Sequence, residues 1–91
     1  MTIWQKPPRV MTRDEVARII ERFVTDTGGK WEWDDFTLGG TIEDPYLDGI
    51  RLRSARLGQE FPPDRPGHYC SEAGAKVLRA YVEELRQSKM A

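Results

Sequence analysis

"TGGKWEWDDF", Thr27 to Phe36, decides how this chain is divided. Two glycines lead into three aromatic residues, and three carboxylates lie between and beside the rings. In an extended segment side chains alternate, so Trp31 and Trp33 would share one face while Glu32 and Asp34 took the other. The rings would then press on the core. The acids would stay at the rim, because a carboxylate without paired donors is costly to bury. At least one of Trp31 and Trp33 is therefore expected to be buried. Asp34 or Asp35 is expected to accept a backbone N–H at a turn, or to cap a single helical turn through Phe36. A second reading leaves one indole exposed beside the carboxylates as the centre of an interface, a position in which tryptophan is enriched.

On the N-terminal side of this stretch the chain predicts a helix. Thr12 and Glu15 have the spacing of a capping box,. Val16, Ile19, Ile20, Phe23 and Val24 repeat at helical spacing and form one apolar stripe,. Asp14 and Arg18, four apart on the other face, can pair weakly. Gly28 is the expected left-handed stop, giving a helix over about 13–27. Before it, "MTIWQKPPRV" reads as an irregular lead-in.

On the C-terminal side, Asp44 is a good N-cap and Pro45 suits the first helical position, where no N–H is needed. Leu47, Ile50, Ser54 and Leu57 share a face, with Gly58 as the expected end. Arg51, Arg53 and Arg56 are expected on the sides, reaching solvent. "QEFPPDRPGHY", residues 59–69, has three prolines and a glycine and predicts a stiff connection anchored by Phe61 and Tyr69,. Ser71 caps a third helix with Val77, Leu78, Tyr81, Val82 and Leu85 on one face and Lys76, Arg79, Glu83 and Arg86 on the other. The expected fold is all-α, a small three-helix domain over residues 12–91 behind a lead-in of residues 1–11. It has two long irregular connections, and "FTLGGTI" offers a short hairpin near Gly39-Gly40 as an alternative,. The expected core is Val16, Ile19, Ile20, Phe23, Leu47, Ile50, Val77, Leu78, Val82 and Leu85.

A length of 91 residues allows one domain with one modest core,. With 38% hydrophobic and 32% charged residues, the composition is that of a globular protein,. Cys70 is the single cysteine, so no intrachain disulfide forms, and a reducing cytoplasm is the expected compartment,. No apolar run has the length of a membrane span, no signal segment opens the chain, and no membrane partner is expected. The net charge of −1 conceals an asymmetry. Glu32, Asp34, Asp35, Glu43, Asp44 and Asp48 lie between Trp31 and Asp48 with no Lys or Arg among them, so that segment carries −6. The nine other acids against fourteen basic residues leave +5 elsewhere. Such a split can steer a charged partner, although a merely solvated loop has the same composition.

Catalytic and metal chemistry finds little support. Zinc needs about four ligands, and His68 and Cys70 are the only His and Cys,. The same two residues lack an oriented third group for nucleophilic catalysis, and Cys70 reads better as a small core residue before the Ser71 cap. Asp34 and Asp35 are adjacent carboxylates, and sequence neighbours often point apart. The calcium-loop pattern is absent, and Gly39-Gly40 lacks the lysine and hydroxyl of a phosphate-binding loop. No cofactor and no metal are expected. Arg51, Arg53 and Arg56, joined by Arg65, Lys76 and Arg79, could contact phosphates. A pI near 5.8 and a first connection too long for a helix-turn-helix oppose nucleic acid as the partner,.

"TGGKWEWDDF", "DPYLDGIRLR" and "PPDRPGHYCSEAGAKVLRAYVEELR" together resemble a group of small, largely uncharacterised bacterial proteins that run a tryptophan–aspartate segment between helices. The resemblance covers roughly residues 14–86. It implies a small bacterial cytosolic domain and carries over no activity and no catalytic residue.

The function expected from these features is non-enzymatic protein binding through the acidic and aromatic segment 31–48. Trp31, Glu32, Trp33, Asp34, Asp35, Glu43, Asp44 and Asp48 are its contact residues, and charge complementarity favours a basic partner. An inhibitor, immunity protein or antitoxin acting on a basic toxin is one class that fits. The first alternative is a small nucleic-acid-associated regulator using Arg51, Arg53 and Arg56; the second is a small enzyme.

Overall fold

Thr12 begins the first helix as its spacing requires. In the computed structural model, which describes residues 7–28, 30–64 and 69–87, its Oγ1 accepts from the Glu15 N–H at 3.1 Å. The Glu15 carboxylate accepts from the Thr12 N–H at 2.8 Å,. Helix α1 (Arg13–Val24) stops three residues before the expected end, and Gly28 is not the stop. Asp26 takes the left-handed conformation, with φ 58°. The Thr27 N–H donates to the Arg22 carbonyl at 2.9 Å and the Asp26 N–H to that of Phe23 at 3.2 Å. These two bonds form a Schellman closure, and aspartate is among the few non-glycine residues that visit this backbone region readily.

The stretch from Lys30 to Leu38 is the main departure from expectation. It is a helix, α2, where an irregular connection was expected, so the described chain holds four helices. Nor does a hairpin form near Gly39-Gly40. A side chain on Gly39 would place its Cβ 2.2 Å from the Asp35 carbonyl, and Gly40, at φ 116°, turns the chain out of the helix. Ile42 then pairs with Arg9 in an isolated parallel bridge. The Arg9 N–H donates to the Thr41 carbonyl at 2.9 Å and the Glu43 N–H to that of Arg9 at 2.8 Å. The lead-in thus contributes at least this residue to the packed structure.

Helix α3 (Pro45–Glu60) starts as expected. Asp44 Oδ1 accepts from the Tyr46 N–H at 2.9 Å, and Pro45 is in the first turn. The helix continues past Gly58, where a Cβ would come within 3.0 Å of the Tyr69 carbonyl. That glycine serves as a seat for Tyr69, whose hydroxyl donates to the carbonyls of Ser54 and Ala55. Phe61 packs on the core from the start of the next connection.

Helix α4 (Glu72–Gln87) lies along α1, the principal helix–helix contact of the molecule. Val16, Ala17 and Ile20 face Leu78, Val82 and Leu85, and the core continues through Leu47, Ile50 and Leu57 of α3. Ile19, Phe23 and Val77, expected in the core, are half-buried at its margin. Trp33, Phe36 and Ile42 complete the core from the segment around α2. Arg86 donates to both carboxylate oxygens of Glu21, at 2.9 and 3.0 Å, across the α1–α4 seam. The Arg86 hydrogen bond holds the Glu21 carboxyl below its ordinary range. Arg13 lies over the Tyr46 ring, 4.5 Å from its centroid. Tyr46 in turn donates to Glu84, tying α3 to α4. Among the described residues no helix is long and apolar enough to cross a membrane.

Candidate functional site

Helical geometry separates the two indoles that an extended chain would have kept together. Residues two apart on a helix differ by about 200° in direction, so Trp31 and Trp33 face opposite ways. Trp33, Phe36 and Thr37, at helical spacing, turn inward,. Trp33 is 4% exposed and stacks on Phe23 with ring centroids 3.8 Å apart. The edge of Tyr69 closes on both rings, at 5.2 and 5.8 Å, arrangements that aromatic quadrupoles favour. The Thr37 hydroxyl donates to the Trp33 carbonyl at 3.0 Å. The expectation that at least one indole is buried holds for Trp33.

Trp31 and Leu38 occupy the opposite side. They are seven residues apart, and so almost in line on a helix, and they are 79% and 76% exposed. Asp35 lies between them on that face and Asp34 on its flank. The Asp35 side chain is 82% exposed, and Asp34 is half-buried. Neither caps a turn or a helix start, because both are inside α2.

Side chains remote in sequence hold α2 in position. The last carbonyls of a helix have no partner within it and favour a cation nearby. Arg9 supplies one, donating to the carbonyls of Asp35 at 3.0 Å, Phe36 at 2.9 Å and Gly40 at 2.7 Å. Its guanidinium is also 3.8 Å from the Asp35 carboxylate. Arg51 donates to the Thr37 carbonyl at 2.9 Å and to Asp48 Oδ1 at 2.7 Å. Asp48 accepts from the Ile42 N–H as well, at 2.9 Å. The Arg51 hydrogen bond, helped by that of Ile42, keeps the Asp48 carboxyl below its usual range despite its partial burial. At the other end, Arg22 pairs with Glu32 at 2.8 Å.

The contact residues expected in segment 31–48 therefore divide. Trp31, Asp34 and Asp35 share the outward side of α2. Trp33 belongs to the core, Glu32 pairs with α1, Asp44 caps α3, and Asp48 holds Arg51 and Ile42. The Glu43 side chain is exposed beyond the end of α2. Leu38 shares that outward side, and its spacing from Trp31 becomes informative only once 30–38 is known to be helical.

The arginines of α3 divide too. Arg51 does not reach solvent: it is 9% exposed, drawn inward by the carbonyl and carboxylate that it satisfies. Arg53 donates to the Gly49 carbonyl at 3.3 Å and lies 5.4 Å from the Tyr81 ring centroid. Arg56 is exposed. A phosphate would meet two of these three side chains at most.

A cleft of about 620 Å³ opens beside the aromatic cluster, lined in part by Asp26, Asp64, Tyr69, Cys70 and Glu72. Burial, followed by the nearby Glu72 charge, pushes the Cys70 thiol up, which favours the unreactive protonated form,. His68 and Arg65 lie outside the described residues. Among the described residues no group of three His, Cys, Asp or Glu is placed to hold a metal ion. No protein-family model, curated protein or solved structure matches the chain.

Proposed function

We propose that this chain is a non-enzymatic protein-binding domain whose contact surface is the outward side of α2, with Trp31 and Leu38 as apolar anchors and Asp34 and Asp35 as the charged elements. The observation that carries the proposal is the exposure of two large apolar side chains, 79% and 76%, on one side of a nine-residue helix. Covering a large apolar side chain is worth about 1.5–3 kcal/mol, and this face leaves that gain unused within the chain. The sign of the charge favours a basic protein over nucleic acid. The single cysteine and the resemblance to small bacterial proteins support a bacterial, cytoplasmic setting, and charge complementarity to a basic partner fits an inhibitor, immunity protein or antitoxin,.

The test immobilises the wild-type chain, a Trp31→Ala variant and an Asp34→Asn/Asp35→Asn variant, and exposes each to extract of the native cells at low salt. A basic protein retained by the wild type and lost from both folded variants is the expected result. Retention of the same proteins by all three chains would overturn the proposal.

A further inference from the structure

The dimensions of the α2 face narrow what can cover it, if that face is the contact surface proposed above. Trp31 and Leu38 are seven residues apart, a separation of about 10.5 Å at the helical rise of 1.5 Å per residue. The carboxylate of Asp35 stands between them, 82% exposed and with Arg9 no nearer than 3.8 Å, so a second cation can reach it. A complementary segment needs two apolar side chains at that separation and a cation between them, all on one side.

An extended partner places same-side residues about 6.8 or 13.6 Å apart, so its anchors fall short or overshoot by about 3–4 Å. A polyproline helix repeats every three residues, near 9.3 Å, but the residues between its anchors point elsewhere and present no cation to Asp35. An α-helix meets both conditions: residues seven apart are separated by the same 10.5 Å, and the third and fourth positions between them share their face. A second copy of this chain meets the spacing and fails on charge. Two antiparallel α2 faces would bring Asp34 and Asp35 of each copy against those of the other, and like charges so placed repel.

We infer that the occupant of the α2 face is an amphipathic helix of a partner protein, carrying two apolar residues seven positions apart with lysine or arginine at the third and fourth positions between them. The cation faces the Asp35 carboxylate. One side of a short helix makes a small interface, so this contact is weak alone and sensitive to salt.

Three labelled peptides of equal composition test the inference by fluorescence polarisation at low salt. The first has the inferred pattern in an alanine-rich helical host. The second moves one apolar residue to the opposite side of the helix. The third keeps the pattern, but a central D-amino acid pair prevents the helix. The first should bind the wild-type domain at least tenfold more tightly than the others, about 1.4 kcal/mol, and lose that advantage against Trp31→Ala, Leu38→Ala and Asp35→Asn. Equal binding of all three peptides, abolished by Asp34→Asn/Asp35→Asn, would overturn the helical occupant and leave the basic-partner proposal standing. Binding that none of the variants changes would overturn both. Failure of the first peptide to bind would overturn the inference, and the extract experiment would then decide the proposed function by itself.

Discussion

The α1–α4 pair and helix α2 lie in one small core and are held there by different means. Helices α1 and α4 each carry a continuous apolar stripe, and α1 closes both of its own ends, with the Thr12–Glu15 box at one and the Asp26 turn at the other. Helix α2 has nine residues, three of which turn inward, and its C-terminal carbonyls are met by Arg9 and Arg51 from outside the helix. A nine-residue helix is too short to be stable alone in water, so its existence depends on those contacts. The α1–α4 pair supplies, from two long stripes, six of the twelve buried apolar residues among those described. The other helix is displayed on the core, and display leaves Trp31 and Leu38 in water.

If burial between α1 and α4 carries the fold, truncation there gives the largest loss. Ile20→Ala or Leu78→Ala should each cost about 2–5 kcal/mol, because both side chains are fully enclosed and leave a cavity,. Urea unfolding monitored by circular dichroism measures it. A loss below about half a kcal/mol would remove the distinction between the two regions.

Arg51→Ala should come next, at about 3 kcal/mol in the same assay, since it strands the Asp48 carboxylate and the Thr37 carbonyl together,. Lysine should rescue poorly. Nε and Nη1 of Arg51 address two different acceptors at once, a geometry that a single ammonium reproduces badly,. Arg9→Ala should cost less, about 1–2 kcal/mol, because its side chain is partly solvated and water can take over some of the carbonyls,. Its effect should be local. Amide exchange of Leu38 and Gly39 should accelerate while that of Ile20 follows only the global change. Uniform acceleration across α1 and α2 would show that the two regions unfold as one.

Acid should act on the same linkage. Asp48 has its folded-state pKa lowered, first by the hydrogen bond from Arg51. Such a group contributes stability that is present above its unfolded pKa, near 3.9, and is lost as pH falls through the lower folded value. Stability should therefore decline below about pH 4, and Asp48→Asn should flatten that decline. Part of the slope should persist, because Glu21 is depressed in the same direction by Arg86. An unchanged acid limb in Asp48→Asn would show that this carboxylate is not coupled to folding.

The parts of the fold that were legible in the sequence are those whose signals are local. The Thr12–Glu15 box, the Asp44-Pro45 start and the stripes of α1 and α4 each fall within a few turns. Helix α2 was hidden because "KWEWDDFTL" supports alternation as readily as a helix: Trp31 and Trp33 are two apart, and Trp33 and Phe36 are three apart. What decides between them is Arg9, 26 to 31 residues away from the carbonyls it meets, and Arg51, 14 residues from Thr37. The same distance effect blurred the site. Composition marked the acids of 31–48 but did not separate Asp44 and Asp48, used in the structure, from Asp34 and Asp35 on its surface. Arg51 was misplaced for the matching reason, because its partners come from outside its own helix.

The smallest effect on stability is expected where the effect on binding is largest. Trp31→Ala and Leu38→Ala remove groups that stand mostly in water, so each should change folding stability by less than about 0.5 kcal/mol,. Trp33→Ala, two residues from Trp31, should lose several kcal/mol, because it empties the stack on Phe23 and the contact with Tyr69,. The pair of tryptophans is therefore an internal control: one residue type in one helix, differing in the direction it faces. Thermal melts of Trp31→Ala and Trp33→Ala, run beside capture of the partner, separate the roles. A Trp31→Ala domain that melts like the wild type and no longer captures the partner assigns this indole to the interface. A melt lowered as much as that of Trp33→Ala would place Trp31 among the residues that hold the fold, and the outward side of α2 would lose its claim as a docking surface.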